Sequence, residues 1–156
     1  GLTGIGNRTA FQETLQSLEQ MLKKEADLDV GIILFDLNDL KKTNDKYGHQ
    51  IGDQMIVETA LAMKEAFIKT GKCYRIGGDE FSVILQGKDV KNKAEEGIKA
   101  FDALLKTYNE EAVKPYRLSV ARGVAYYNKN NENKKLDDVY KTADEKMYEN
   151  KKAMKA

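Results

Sequence analysis

The run Arg75-Ile76-Gly77-Gly78-Asp79-Glu80-Phe81 is the part of this sequence best suited to chemistry. Two adjacent glycines and two adjacent carboxylates lie between the apolar segments Cys73-Tyr74-Arg75-Ile76 and Phe81-Ser82-Val83-Ile84-Leu85. Strand, glycine-rich turn, strand is a hairpin signal, and paired glycines permit the positive φ of a tight turn. An ordinary hairpin has no need of two carboxylates at its turn, because they repel unless a cation or proton compensates. Glycine backbone, free of Cβ, lets a bulky anion approach closely. A metal-bridged phosphate ligand accounts for both halves of the motif. A second acidic site follows the continuous apolar run Gly31-Ile32-Ile33-Leu34-Phe35, which reads as a strand buried on both faces and ends at Asp36. A carboxylate there stands at the rim of a sheet, exposed, where ligands usually bind. Pairing of the hairpin beside this strand lets Asp36 and Asp79 share Mg²⁺, which takes one or two carboxylates together with substrate phosphates. The plainer reading makes Asp36 a helix cap and Asp79 a solvated turn residue.

The elements that must position these groups are legible in outline. A helix is predicted over 8–25, with Asn7 as its N-cap, and a strand over 28–36. A short helical turn over 39–47 and a long helix over 51–68 follow, then the signature hairpin. A further helix over 90–108, capped by Asp89, carries Ile98, Phe101, Leu104 and Leu105 on its buried face. The single proline, Pro115, marks the loop before a strand over 118–125. The last helix begins near Leu136, with Asp137 and Asp138 in its first turn and Lys151 and Lys152 near its end, in keeping with the helix dipole. Strand, helix, strand, strand, helix, strand is the ferredoxin-like βαββαβ pattern. The fold expected is α+β, a central, mainly antiparallel sheet flanked by helices, with the Asp36 strand beside the hairpin.

These residues resemble the GGDEF family, the diguanylate cyclases, which join two GTP molecules into cyclic di-GMP. Leu2-Thr3-Gly4-Ile5-Gly6-Asn7-Arg8 with Phe11 resembles the opening LTGLxNRxxF. The segment from Asp36 to Asp53 resembles DxDxFKxxND…GHxxGD, with Lys41, Asn44, Asp45, Gly48, His49, Gly52 and Asp53 in place. Ala143-Asp144 and Met147-Tyr148-Glu149-Asn150-Lys151 resemble the closing ADxxLYxxK. The resemblance implies the fold shared by nucleotidyl cyclases and polymerase palms. It implies that Asp36, Asp79 and the Leu37 carbonyl bind Mg²⁺, or Mn²⁺ in its place, with Glu80 at the same centre as a ligand or base. Asn44 and Asp53 would bond the guanine edge, and Lys41 and Lys151 the β- and γ-phosphates. Gly77 and Gly78 would let the backbone pass close to the nucleotide. The residue types suit those roles, since an aspartate accepts from guanine N–H groups and lysines offer point charges to a polyphosphate.

Four departures stand out. Asn38 replaces the second Asp of DxD, a change expected to be tolerated because it is not an implied metal ligand. Leu40 replaces a Phe and keeps an apolar anchor. Met154-Lys155 stands where the family has Gly-Arg, so Lys155 keeps the charge without the bidentate fork. Ile68-Lys69-Thr70-Gly71 stands where the family's Arg-x-x-Asp product-inhibition site would lie, so that site is absent.

Composition bounds the rest. The 156 residues suit a single domain, 1–156, with a full core. A net charge of +1, from 26 basic and 25 acidic residues, gives no drive towards nucleic acid or an anionic membrane. No apolar run approaches the roughly 20 residues that cross a bilayer. One cysteine, Cys73, rules out an internal disulfide, suits a reducing compartment and reads as a small buried hydrophobe. The lone histidine, His49, reads as a turn or cap residue. The chain begins inside the opening motif and reads as an excised cytoplasmic domain, with a sensory portion and any membrane anchor in regions outside it. Function is expected to be Mg²⁺-dependent condensation of two GTP across a transient homodimer. The alternatives are a GGDEF domain without turnover, serving as a GTP-binding or docking module, and a related cyclase of another product, which would not need Asn44 and Asp53.

Overall fold

In the computed structural model, which describes residues 1–24, 27–111, 113–128 and 135–155, nine elements follow one another. They are α1 (Arg8–Lys24), β1 (Val30–Leu37), α2 (Leu40–Tyr47), α3 (His49–Ala66), β2 (Gly71–Arg75), β3 (Glu80–Gln86), α4 (Val90–Glu111), β4 (Val120–Tyr127) and α5 (Leu136–Lys155). Glu25, placed at the end of the first helix by the sequence, lies outside the described residues. The strands form one sheet in the order β2-β3-β1-β4, with every neighbouring pair antiparallel. This is the expected α+β, ferredoxin-like arrangement.

Every residue of β1 is buried because helices cover both faces of the sheet. Alternate side chains enter opposite layers, as the two-residue period of a strand requires. Ile33, Phe35 and Leu37 pack in one layer with Met55, Met63 and Phe67 and with Phe101 of α4. Val30, Ile32 and Leu34 pack in the other with Phe11 and Leu18 of α1 and Val139, Ala143 and Met147 of α5. Asp36 and Asn38 continue the second series, which carries them towards α5.

Both edges of the sheet are covered, as edge strands require. At β2, Gly6 forms a parallel bridge with Tyr74, its N–H bonding the Cys73 carbonyl while the Arg75 N–H bonds its own carbonyl. At β4, the Asn150 side chain of α5 accepts the Arg122 N–H at 2.9 Å. Asn7 caps α1 as expected, its Oδ1 accepting the Ala10 N–H at 2.8 Å. The Cys73 thiol is half-buried, donates to the Met63 carbonyl and is pushed up to about 12 by burial, an inert group.

Some boundaries differ from the expectation. Helix α3 starts at His49, ahead of the predicted Ile51, because Gly48 at φ 92° supplies the break. It ends at Ala66, where Phe67 turns inward against Phe35. Strand β4 runs from Val120 to Tyr127, starting and ending two residues later than the predicted Leu118–Ala125. Asp89 lies at φ 60° and receives the Lys93 N–H on its main-chain carbonyl. Gly77 and Gly78 are not among the positive-φ residues, so the turn does not use them for left-handed backbone.

Candidate active site

Strand pairing sets the acidic centre. Asp36 lies directly opposite Glu80 in the β1–β3 register, and the Leu37 N–H bonds the Asp79 carbonyl at 2.8 Å. Like charges directly opposite in a sheet are destabilising. Burial, then Asp36, hold the Asp79 carboxyl above its usual range, and burial, Asp36, Asp79 and Asp144 do the same to Glu80, with Arg8 opposing. Asp36 is not the exposed rim group that its position suggests: α5 closes over it and leaves it 8% exposed. Lys151 Nζ donates to Asp36 Oδ2 at 2.8 Å, and this bond, with the surrounding carboxylates, raises the lysine above its ordinary value. Asp36 Oδ1 is buried with no hydrogen-bond partner. A buried carboxylate oxygen without a donor, among carboxylates held towards protonation, calls for a cation or a proton. Among the described residues no three acidic, imidazole or thiol side chains converge into a metal cage. A divalent ion here would therefore draw on two carboxylates and on backbone or phosphate oxygens, as Mg²⁺ commonly does. The donor set fits that ion.

Two arginines hold the glycine turn from outside. Arg75 Nη2 and Nε donate to the Gly78 carbonyl at 2.9 and 3.2 Å, and Nε also reaches the Gly77 carbonyl at 3.2 Å. Arg8 Nη1 donates to the Ile76 carbonyl at 3.1 Å. A Cβ built at Gly78 meets nothing within 4 Å, and one at Gly77 meets only Glu80, at 3.4 Å and beyond. Gly78 thus presents bare backbone to open space, the second of the two uses that the pairing suggests, while Gly77 lies against the Glu80 side chain.

The base-binding candidates meet where α2 faces α3. Asn44 Oδ1 is buried without a hydrogen-bond partner, and a Cβ at Gly52 would fall 1.6 Å from it. Gly52 is therefore the space that the Asn44 carboxamide occupies. Asp53 follows Gly52 and is exposed, and Lys41 is exposed on α2. On the other side, Lys151 and Lys155 line a cavity of about 530 Å³ together with Asp36, Asp144 and Tyr148.

The sequence profile described as "Diguanylate cyclase, GGDEF domain" matches residues 1–156. The chain belongs to the GGDEF family. It is similar to diguanylate cyclase DgcS of Shewanella oneidensis, 31% identical over 150 residues that are 96% of this chain and 48% of that protein. It is also similar to the probable diguanylate cyclase DgcI of Escherichia coli, 30% identical over 97% of this chain and 30% of that protein. The GGDEF chain thus spans less than half the length of these curated relatives. The crystal structure of the GGDEF domain of DgcB from Caulobacter crescentus in complex with c-di-GMP superposes with a TM-score of 0.81 at 22% identity, covering 98% of this chain and 89% of that one. That likeness shows the fold.

The departures of this GGDEF domain acquire locations. Leu40 is buried in the α3/α4 layer as an apolar anchor. Ile68 is 78% exposed and offers no guanidinium, and Gly71 offers no carboxylate. Asn38 and Met154 meet each other, as Asn38 Nδ2 reaches Met154 Sδ at 3.6 Å. Sequence reasoning missed the roles of Arg75, Arg8 and Gly52. The signal for Arg75 is its position beside a turn whose carbonyls must go somewhere, whereas Arg8 reaches that turn from 68 positions away.

Proposed function

We propose that this domain condenses two GTP into cyclic di-GMP and two pyrophosphates. The observation that carries the reading is the buried, unpartnered oxygen of Asp36 beside Asp79 and Glu80, with Lys151 already on its other oxygen. Asp36, Asp79 and the Leu37 carbonyl would hold a divalent ion, Mg²⁺ or Mn²⁺, with Glu80 at the same centre. When bound, such an ion supplies Lewis-acid stabilisation to a transferring phosphoryl group. Lys151, Lys155 and Lys41 hold the terminal phosphates, the Gly77-Gly78 backbone lies against the nucleotide, and Asn44 and Asp53 bond the guanine edge. Glu80, pushed up by burial and then by its acidic neighbours, is suited to take the 3′-hydroxyl proton. Each 3′-hydroxyl attacks the α-phosphate of the GTP on a second copy, and pyrophosphate leaves. Incubation with GTP and Mg²⁺ followed by mass analysis tests this. Bound GTP without any product would instead identify a binding module.

Selectivity for the base follows from Asn44 and Asp53. Polar groups left unpaired by the wrong base cost on the order of 1–3 kcal/mol each, so GTP is expected to be preferred strongly over ATP. Gly52→Ala, which forces the Asn44 carboxamide aside, is expected to weaken that preference. Comparable turnover of ATP by the unaltered domain contradicts the assignment.

Feedback should be simple. Without the guanidinium and carboxylate that Ile68 and Gly71 replace, cyclic di-GMP is expected to inhibit only competitively with GTP. Tight non-competitive inhibition would locate product on another surface.

Assembly sets the rate law. The free domain is expected to be monomeric and weakly active, so specific activity should rise with enzyme concentration until dimers saturate. Fusing a dimerising helix ahead of Gly1 should raise the rate at low concentration. A strictly linear rate, with a monomer confirmed throughout by light scattering, rules out the two-subunit mechanism.

A further inference from the structure

Asp36, at the end of β1, and Asn38, just past it, grip α5 at two points. Asp36 and Asn38 are two apart and continue one face of the strand, while Lys151 and Met154 are three apart and share one face of the helix. Asp36 accepts from Lys151 at 2.8 Å. Asn38 is 8% exposed, and its Nδ2 spends its N–H groups on Ser119 Oγ at 3.0 Å and Met154 Sδ at 3.6 Å. The Asn38 main-chain N–H also bonds the Ser119 carbonyl at 2.8 Å, so the amide is fixed from two directions before it reaches the helix. The two attachments differ in kind. If a divalent ion takes Asp36 and Lys151 turns its three N–H donors to phosphate, the lysine loses its carboxylate anchor, whereas nothing in that exchange disturbs Asn38 and Met154. A thioether only accepts, so the side chain at 38 must donate. An amide does so and the carboxylate of the family pattern does not. The two departures from the family pattern therefore form one contact.

We propose that Asn38 is a positioning residue for the α5 lysines: through Met154 it holds the last turn of the helix, so that Lys151 and Lys155 stay over the acidic centre after Lys151 releases Asp36. The proposal rests on the reading that these lysines bind phosphate. A role through the lysines acts on the phosphates and leaves the base alone, which a general loss of structure would not do.

The test measures binding of inorganic tripolyphosphate and, separately, of guanosine to the 1–156 chain by calorimetry in magnesium buffer, with melts alongside. Met154→Leu keeps the volume at a partly exposed helix end and removes the acceptor, and Asn38→Leu removes the donor. Each is expected to weaken tripolyphosphate about two- to tenfold, the range of one modest hydrogen bond, with guanosine unchanged. In a Lys151→Ala, Lys155→Ala background, Met154→Leu should have no further effect. Unchanged tripolyphosphate affinity in Met154→Leu, an equal loss for guanosine, or a full effect in the Lys151→Ala, Lys155→Ala background overturns the proposal. If removing both lysines itself leaves tripolyphosphate binding intact, the phosphate reading of α5 fails first, and the proposal falls with it. Should Asn38→Leu not fold, Met154→Leu and the lysine background decide alone.

Discussion

Asp79→Asn is expected to stop product formation and, in the same protein, to raise the melting temperature of the unliganded domain. The two effects share one cause. Asp79 lies beside Asp36, next to Glu80, and its carboxyl is held above the usual range by burial and by Asp36. The folded state therefore holds the Asp79 proton more tightly than the unfolded chain does. Such a group favours the fold below its ordinary pKa, and that contribution is lost as pH rises through the raised value. At neutral pH the ionised carboxylate works against the fold, and an amide of the same shape removes the repulsion. The gap in melting temperature between variant and wild type should widen from acid pH towards neutrality. Added Mg²⁺ should raise the melting point of the wild type and leave that of the variant unmoved. Losing a ligand to a charge-stabilising ion removes several kcal/mol from transition-state stabilisation, which at about 1.4 kcal/mol per tenfold means a fall of at least about a hundredfold in rate. Asp36→Ala should be as inactive, yet without a gain in stability, because it leaves Lys151 without its carboxylate. Near wild-type turnover in either variant removes the metal assignment.

How far the sequence discloses this site depends on which distances are local. The run from Gly31 to Phe35 is readable because a strand covered on both faces needs no polar side, and its end at Asp36 marks the rim. The βαββαβ order then brings the hairpin to that strand, and antiparallel pairing sets Asp36 against Glu80. The burial of Asp36 was not readable. It depends on where the end of α5 crosses β1, and helical periodicity says which face is apolar, not where along a strand it lands. The same limit hid the contact between Asn38 and Met154, 116 positions apart in the chain. Gly77 and Gly78 were readable as essential, but for two reasons at once, and only the backbone angles separate them. Gly52 resembles any motif glycine until the Asn44 carboxamide is seen in the place of its Cβ.

Two glycines should fail in opposite ways when replaced by alanine. Gly123 lies inside β4, where glycine ordinarily weakens a strand. A Cβ there would fall 2.1 Å from the Ala143 carbonyl oxygen and 2.3 Å from the Met147 nitrogen, both main-chain atoms of α5. Main chain within a helix cannot rotate aside, so the whole helix must move off the sheet. Val139, Ala143 and Met147 would withdraw from the core layer, and Asn150 from the Arg122 N–H. Overpacking of this kind costs about 1–3 kcal/mol, occasionally more. With backbone on both sides of the clash, about 3 kcal/mol is expected, a fall of roughly 6–12 °C in melting temperature for a domain of this size. Gly78→Ala meets nothing within 4 Å and should melt like the wild type. Its methyl group would instead occupy the space assigned to the nucleotide, so its loss should appear in turnover and GTP affinity alone. Melting curves and initial rates on the pair separate the two uses of glycine. A wild-type melting point for Gly123→Ala would mean that α5 is not seated main chain to main chain on β4. Full activity in Gly78→Ala would mean that the nucleotide does not pass over the bare turn.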